Sequence, residues 1–401
     1  MIPTSRRDNR ATVYHIQLAI AKSPRDGHAM SPVRDSTTNL RLLCELLFNP
    51  SVFSALPRTG DISKSLPERP SQSNEADGDL EELRTLATTN HVIVRAFQQL
   101  HKILEREGKF AEAEWVWDAL NKEDSRIRHA IRFLETICET LEGAGCSVTV
   151  IKSLDHWPDL GSDLDLYTNA EASKVVAVMQ SRFQASLADR SWGDRLANKW
   201  NFVVPGLPEL VEVHVGRLGQ TGEQTALTRS LCSRNRTLAL SGHNFRVPAP
   251  EDRIIIGTLQ RMYRHFYIRV CDVVDNAALL DAHVVDFGYL HSLGSAAGIW
   301  DGIATYLTII SEYVEAYRGY GVPLPSLVTG SAKFNAAKVR FRKDFLRVPI
   351  LPDSMNLYAR ELTTLLLRGE LRNSLRLSLL PGLATAAALE QKLTGSDKGI
   401  W

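Results

Sequence analysis

Apolar side chains along this chain recur with two different periods, and the switch between them marks out its regions. Leu83, Leu86, Ile93, Phe97, Leu100 and Leu104 recur every three or four positions or in multiples of that step, which places them on helix faces and predicts one or two helices. Residues 39–48 read as a short amphipathic helix, and 111–120 as another. Asp124 or Ser125 is the expected cap of the next helix, in which Ile127, Ile131, Leu134, Ile137 and Leu141 recur, with Gly143 and Gly145 ending it. At Ser147 the pattern becomes strand-like. SVTVIKS is a β-branched run, and 163–167, 201–204, 210–215 and 244–247 follow as short strands, with a helix over 171–183. From Pro250 the helical period returns: a long helix from Asp252 to about Leu280, then 296–318, 354–368 and 380–393.

Residues 1–38 are polar without a period, and 57–78 are rich in Pro, Ser, Gly and acidic groups, as in a loop or disordered linker. No internal repeat is present. The regions are therefore a polar segment with one short helix (1–79), a helical region (80–145), an α/β core (146–250) and a C-terminal helical domain (251–401). The fold class expected is α+β, a small mixed sheet flanked by helices.

Composition narrows the function more by exclusion. In 401 residues Lys and Arg number 47 and Asp and Glu 46, so bulk charge does not carry this protein to nucleic acid or an anionic membrane. No apolar run is long enough to span a bilayer, and the N-terminal arginines precede no apolar stretch, so neither a membrane protein nor a secreted one is expected. Five scattered cysteines without a C-x-x-C pair fit a reducing compartment, and a cytoplasmic location is expected. The nucleophile elbow, the P-loop, the zinc-protease helix and the dinucleotide glycine motif are all absent.

The chemistry is concentrated in VTVIKSLDHWPDLGSDLDLYT, residues 148–168. On a strand Asp163 and Asp165 share one face while Leu164 and Leu166 share the other. Two carboxylates on one face repel unless a cation lies between them, and Mg²⁺ prefers such hard oxygen ligands. Gly161-Ser162 supplies a turn into that strand, and Lys152-Ser153 ends the strand before it. Further on, LVEVHV puts Glu212 and His214 on one strand face and Val211, Val213 and Val215 on the other. A strand, a serine turn, D-x-D and a distant strand carboxylate form a layout that can hold two metal ions across a triphosphate.

These residues resemble the nucleotidyltransferase superfamily signature, an apolar-Gly-[Gly/Ser] turn, Asp-x-[Asp/Glu] between apolar residues, and a third acidic strand residue. More closely, VTVIKS, GSDLDLY, VEVHV and RHFYIRVCDVVD resemble, in order, the Lys-Gly, Asp-x-Asp-Leu, [Asp/Glu]-x-His and Arg…Asp elements of an uncharacterised bacterial nucleotidyltransferase-like family. The likeness spans about residues 80–285. Two departures are Ser153 where that family has glycine, and glutamate as the third acid. The resemblance implies a Mg²⁺- (or Mn²⁺-) dependent enzyme that uses an NTP, ATP foremost, and moves its nucleoside monophosphate to a hydroxyl or phosphate of a small molecule. It implies Asp163, Asp165 and Glu212 as catalytic metal ligands. Lys152, Ser153, Gly161, Ser162, Lys199, Arg261 and Arg264 would then contact the nucleotide, at a cleft between the core and the C-terminal helices.

Other residues have plainer readings beside the functional one. His214 can orient a ligand or be a hydrogen-bonded core histidine. Asp155 and His156 can line the pocket or be ordinary loop polarity. Arg261, Arg264 and His265 fall on one helix face, which can meet a triphosphate or solvent, and Arg269 and Asp272 can form an intrahelical pair. Lys333, Lys338, Arg340, Arg342, Lys343 and Arg347, interleaved with phenylalanines, can bind RNA, though an exposed face paired with acidic neighbours is the commoner outcome. Rival functions are a protein or RNA acceptor, or a non-catalytic protein of the same fold that binds nucleotide, metal or a partner.

Overall fold

The structure, a computed structural model, describes residues 36–48 and 74–382. Most of the polar N-terminal segment, residues 57–73 of the linker and the end of the helix expected at 380–393 lie outside them. Four helices come first: α1 (Ser36–Phe48), α2 (Asn74–Thr89), α3 (Ile93–Arg106) and α4 (Phe110–Gly143). The two helices expected between 111 and 143 are a single helix of 34 residues. Nothing between them breaks it, since no glycine or proline precedes Gly143, and Ser125 does not cap. Its hydroxyl donates back to the Asn121 carbonyl at 2.8 Å, as a serine inside a helix does.

The core sheet follows: β1 (Val148–Val150), β2 (Asp163–Thr168), α5 (Ala172–Phe183), β3 (Ser186–Leu187), α6 (Trp192–Leu196), β4 (Lys199–Val203) and β5 (Leu210–Val215). Its strand order is β1-β2-β5-β4-β3. Only β2 and β5 are parallel; the other pairs are antiparallel, which makes the small mixed sheet expected. Strand-face alternation decides where each residue goes. Leu164, Leu166, Val211, Val213 and Phe202 are completely buried in the same continuous core as Ile131 and Leu134 of α4 and Val175 and Met179 of α5. The opposite face carries the charged residues.

Beyond the sheet lie α7 (Thr225–Ser233), the hairpin β6 (Arg236–Leu240)–β7 (His243–Val247), and α8 (Pro250–Thr258). The long helix expected from Asp252 to Leu280 is interrupted. After α8 the chain widens into a π-helical turn, Leu259–Arg264. Phe266 then takes a left-handed backbone (φ 54°), and β8 (Tyr267–Ile268) pairs with a distant strand before α9 (Val270–Asp281) restarts. The cause is tertiary. Tyr267 and Ile268 find ladder partners in Arg347 and Leu346, a gain that the helical period cannot reveal. Asp272 is correspondingly a cap: its carboxylate accepts the Arg269 backbone N–H at 2.7 Å and takes the buried Arg261 guanidinium at 2.6 Å, so no Arg269–Asp272 side-chain pair forms.

The remaining elements are α10 (Phe287–Ala297), α11 (Trp300–Arg318), α12 (Ser326–Thr329), the hairpin β9 (Arg340–Arg342)–β10 (Phe345–Arg347), α13 (Met355–Leu367) and α14 (Leu371–Ser378). Gly298, at φ 76°, separates α10 from α11, where one helix over 296–318 is expected. Residues 340–347 of the basic stretch form this hairpin; before it, Lys338 is paired with Asp353 at 2.9 Å and Lys333 with Asp301 at 3.4 Å. Among the described residues no helix is long and apolar enough to cross a membrane.

Candidate functional site

The strand register sets the chemistry of the site. Asp165 of β2 lies opposite Glu212 of β5, and Glu212 opposite Asn201 of β4. One pleat further along, Tyr167, His214 and Lys199 form a second row. Paired residues share a face, so these six side chains crowd one side of three adjacent strands. They are not solvated. Asp165, His214, Lys199 and Asn201 are each between 5 and 7% exposed.

The turn after β1 closes one end of this face. Lys152 has a left-handed backbone (φ 62°), and its ammonium is in contact with the Asp165 carboxylate. Ser153 fastens β2 in place, its hydroxyl accepting the Asp165 backbone N–H at 2.7 Å and donating to the Asp163 carbonyl at 3.2 Å. Gly161 is needed for close approach rather than for an unusual φ, because a Cβ there would lie 3.0 Å from the His91 ring. Arg126 of α4 braces the strand entries. It donates to the Leu160 carbonyl at 2.9 Å and pairs with Glu209 at 2.5 Å.

A cleft of about 190 Å³ opens here. His214 and Asp155 line the neighbouring cavities, whereas Lys152, Ser153, Gly161, Ser162, Asp163, Asp165, Lys199, Glu212, Arg261 and Arg264 all line this one. His156, His265 and Arg269 join them, and the π-turn and β8 bring the last of these across from the sheet. Sequence reasoning missed His91, Gln260 and Tyr267, which line the cleft too. It also missed Asp194, whose carboxylate lies 3.1 Å from Lys199 and 3.7 Å from Arg264. For Asp194 a signal was present. Ser191 and Asp194 have capping-box spacing ahead of α6, and that box is formed. His91 gave none, since it sits in a left-handed turn between α2 and α3.

The three carboxylates are in different electrostatic states. Burial raises the Asp163 carboxyl above its ordinary value, and the neighbouring Asp165 charge adds to this. Burial would do the same to Asp165, but Lys152 and then His214 outweigh it and hold that group well below the usual carboxylate range. Glu212 is raised by burial and by Asp165, even though Lys199 lies 2.9 Å away. Lys199 is itself raised, Glu212 and Asp194 together overcoming the cost of burying its charge. Burial pushes His214 down to about 4, so it is neutral at physiological pH. His91 and His265 are lowered well below 6.5, first by burial and then by nearby arginines.

The donor set could hold a divalent ion. One ligand atom each from Asp165, Glu212 and His214 lie within 4.8 Å of one another, and neither ring nitrogen of His214 has a hydrogen-bond partner. The carboxylates are donors of the kind Mg²⁺ and Mn²⁺ take, whereas the imidazole is a softer donor better suited to transition metals. Around them stand the cations Lys152, Lys199, Arg261, Arg264 and Arg269, balanced in number by Asp163, Asp165, Glu212 and the adjoining Asp194 and Asp272.

No protein-family model matches the chain, and no curated protein matches it. Among solved structures it is similar to an antigenic nucleotidyltransferase-like protein from Paracoccidioides brasiliensis, with 13% identity and a TM-score of 0.34 over 51% of this chain and 97% of that one.

Proposed function

We propose that the chain is a metal-dependent nucleotidyltransferase that takes an NTP, ATP foremost, and transfers its nucleoside monophosphate to a hydroxyl or phosphate of a small molecule. The observation that carries this reading is a single cleft lined both by D-x-D on β2 and Glu212 on β5 and by buried or half-buried cations. In this reading Lys199, Arg264 and Arg269 hold the triphosphate, and Arg261, locked on Asp272, adds fixed positive charge behind them. Asp163, Asp165 and Glu212, with His214 beside them, would hold Mg²⁺ or Mn²⁺, which when bound supplies charge neutralisation at the transferring phosphorus. Glu212, its proton affinity raised by burial, is suited to accept the proton of the attacking hydroxyl. The buried sheet face excludes water from the phosphates and favours transfer over hydrolysis.

The ion pairs Lys152–Asp165 and Lys199–Glu212 support a second reading, a nucleotide-binding protein without turnover. Thermal shift with the four NTPs, with and without Mg²⁺ or Mn²⁺, tests both. A metal-dependent stabilisation by one NTP that Asp163→Asn loses, together with pyrophosphate release in the presence of an acceptor, is the expected result. Stabilisation without pyrophosphate release selects the second reading, and no shift with any NTP overturns both.

A further inference from the structure

We propose that Lys152 is a built-in counter-ion that closes the Asp165 position to free divalent cations, so that metal enters this cleft only in company with a polyphosphate. The inference deepens the nucleotidyltransferase reading and rests on it for the identity of the polyphosphate.

Three observations meet at this residue. The Lys152 ammonium is in contact with an Asp165 oxygen, the same carboxylate that lies with Glu212 and His214 in the arrangement suited to a metal. Its backbone is held at φ 62°, a conformation that non-glycine residues adopt only when their surroundings impose it. The imposing contacts are visible: Ile151 is tied to the Asp165 carbonyl at 2.9 Å, and Ser153 is tied to both ends of the same strand segment. The chain thus pays backbone strain to aim an ammonium at this one carboxylate. Third, the arrangement is repeated on the next strand, where Lys199 pairs with Glu212 at 2.9 Å. Of the three site carboxylates only Asp163 lacks a cation at ion-pair distance among the described residues, its contact being the Ser162 hydroxyl at 3.2 Å.

The consequence follows from charge alone. A bare divalent ion arriving here must displace Lys152 from Asp165 and leave that ammonium, half-enclosed, beside the new charge. A metal that arrives with a polyphosphate brings its own anion. Lys152 can then move from the carboxylate to a phosphate oxygen, and every charge stays paired. Lys152 is on the wall shared by the cleft and its neighbouring cavities, so the side chain has room for that movement. No bond is made or broken; one ion pair is exchanged for two.

The experiment is a titration of Mn²⁺ alone, read by calorimetry and by Mn²⁺ electron paramagnetic resonance. It is made into the full chain, Lys152→Gln, Lys152→Gly, and Lys152→Gln combined with Asp165→Asn. Lys152→Gly relieves the left-handed backbone and guards against a variant that loses binding by misfolding. Both single variants should take up Mn²⁺ at least about tenfold more tightly than the wild type, and the double variant should lose the gain. Wild type binding free Mn²⁺ as tightly as Lys152→Gln overturns the inference, as does a failure of both single variants to bind. ATP added with Mn²⁺ to the wild type separates the two claims. Gain of Mn²⁺ by the variants without any ATP binding leaves the counter-ion role standing and removes the nucleotide reading.

Discussion

The two faces of β2 and β5 are built from the same strands in the same register, yet they bury opposite chemistry. On one side Leu164, Leu166, Val211 and Val213 are fully enclosed by apolar neighbours. On the other, Asp165, His214 and Lys199 are almost as deeply buried, with Glu212 only slightly more open. An ordinary half-buried strand sends its polar residues into water, where they cost nothing. Here both faces are inside the protein. The apolar face gains free energy for each group buried, and the charged face spends it on desolvation that internal pairs only partly offset. Burial that works against stability is a mark of function, and the cleft side of this sheet bears it on β2, β4 and β5.

Breaking the apolar side should have the largest effect. Leu166→Ala removes a fully buried side chain from the centre of the sheet and should cost about 2–5 kcal/mol in urea unfolding. Nucleotide binding per folded molecule should stay unchanged. A loss of affinity equal to the loss of stability would mean that the two faces are not separable.

Asp163→Asn probes the other side. Among the described residues this carboxylate has no cation at ion-pair distance and its charge is opposed by Asp165, so its removal should change stability by less than about 1 kcal/mol. Transfer activity should nevertheless fall at least about a hundredfold, because an amide is a poor ligand for a hard cation. Pyrophosphate release under saturating NTP is the readout.

The third effect is a pH dependence confined to the charged face. His214 is held near 4 in the fold against about 6.5 unfolded. Between those values the unfolded chain takes a proton that the folded chain refuses, so the group removes stability as pH falls below 6.5 and costs nothing above it. Wild type and His214→Gln should therefore converge or cross on acidification. Their stability difference should move by about 2 kcal/mol between pH 6.5 and 5, against the wild type. A difference independent of pH would place a charged imidazole in the fold.

The same contrast explains what could be read without a structure. The period-two alternation of DLDLY and LVEVHV was enough to give both strands, their bounds nearly to the residue, and the division of each into an apolar and a charged face. D-x-D and a strand glutamate could be joined into one site because the chemistry of carboxylates supplied what the pattern did not. The far wall was harder. Tyr267 and Arg269 reach the cleft only because a helical-looking segment breaks after Arg264, and the strand pairing that breaks it involves residues some eighty positions later. His91 enters through a left-handed turn with no glycine to announce it. Local period cannot report a partner that distant, and it is silent on backbone strain. It also could not show Lys152 lying on Asp165, since a strand-end lysine looks the same in sequence whether it reaches solvent, phosphate or carboxylate.

The smallest expected effect tests that far wall. Arg264 projects from the π-turn toward the sheet and is 3.7 Å from Asp194, too far for a firm pair, with its side chain 14% exposed. Apart from Arg269, which has no carboxylate at ion-pair distance among the described residues, it is the cleft cation least committed to a carboxylate. Arg264→Ala should leave stability nearly unchanged and weaken triphosphate binding by about tenfold, the worth of one charge-assisted contact. Because the lost term is electrostatic, the gap between wild type and variant should narrow as salt rises, the Debye length falling from about 10 Å at 0.1 M to about 3 Å at 1 M. Nucleoside without phosphates should bind both proteins equally. A variant that loses nucleoside affinity as well would move Arg264 from the phosphates to the base, and the polyanion would have to be held by Lys152, Lys199 and Arg269.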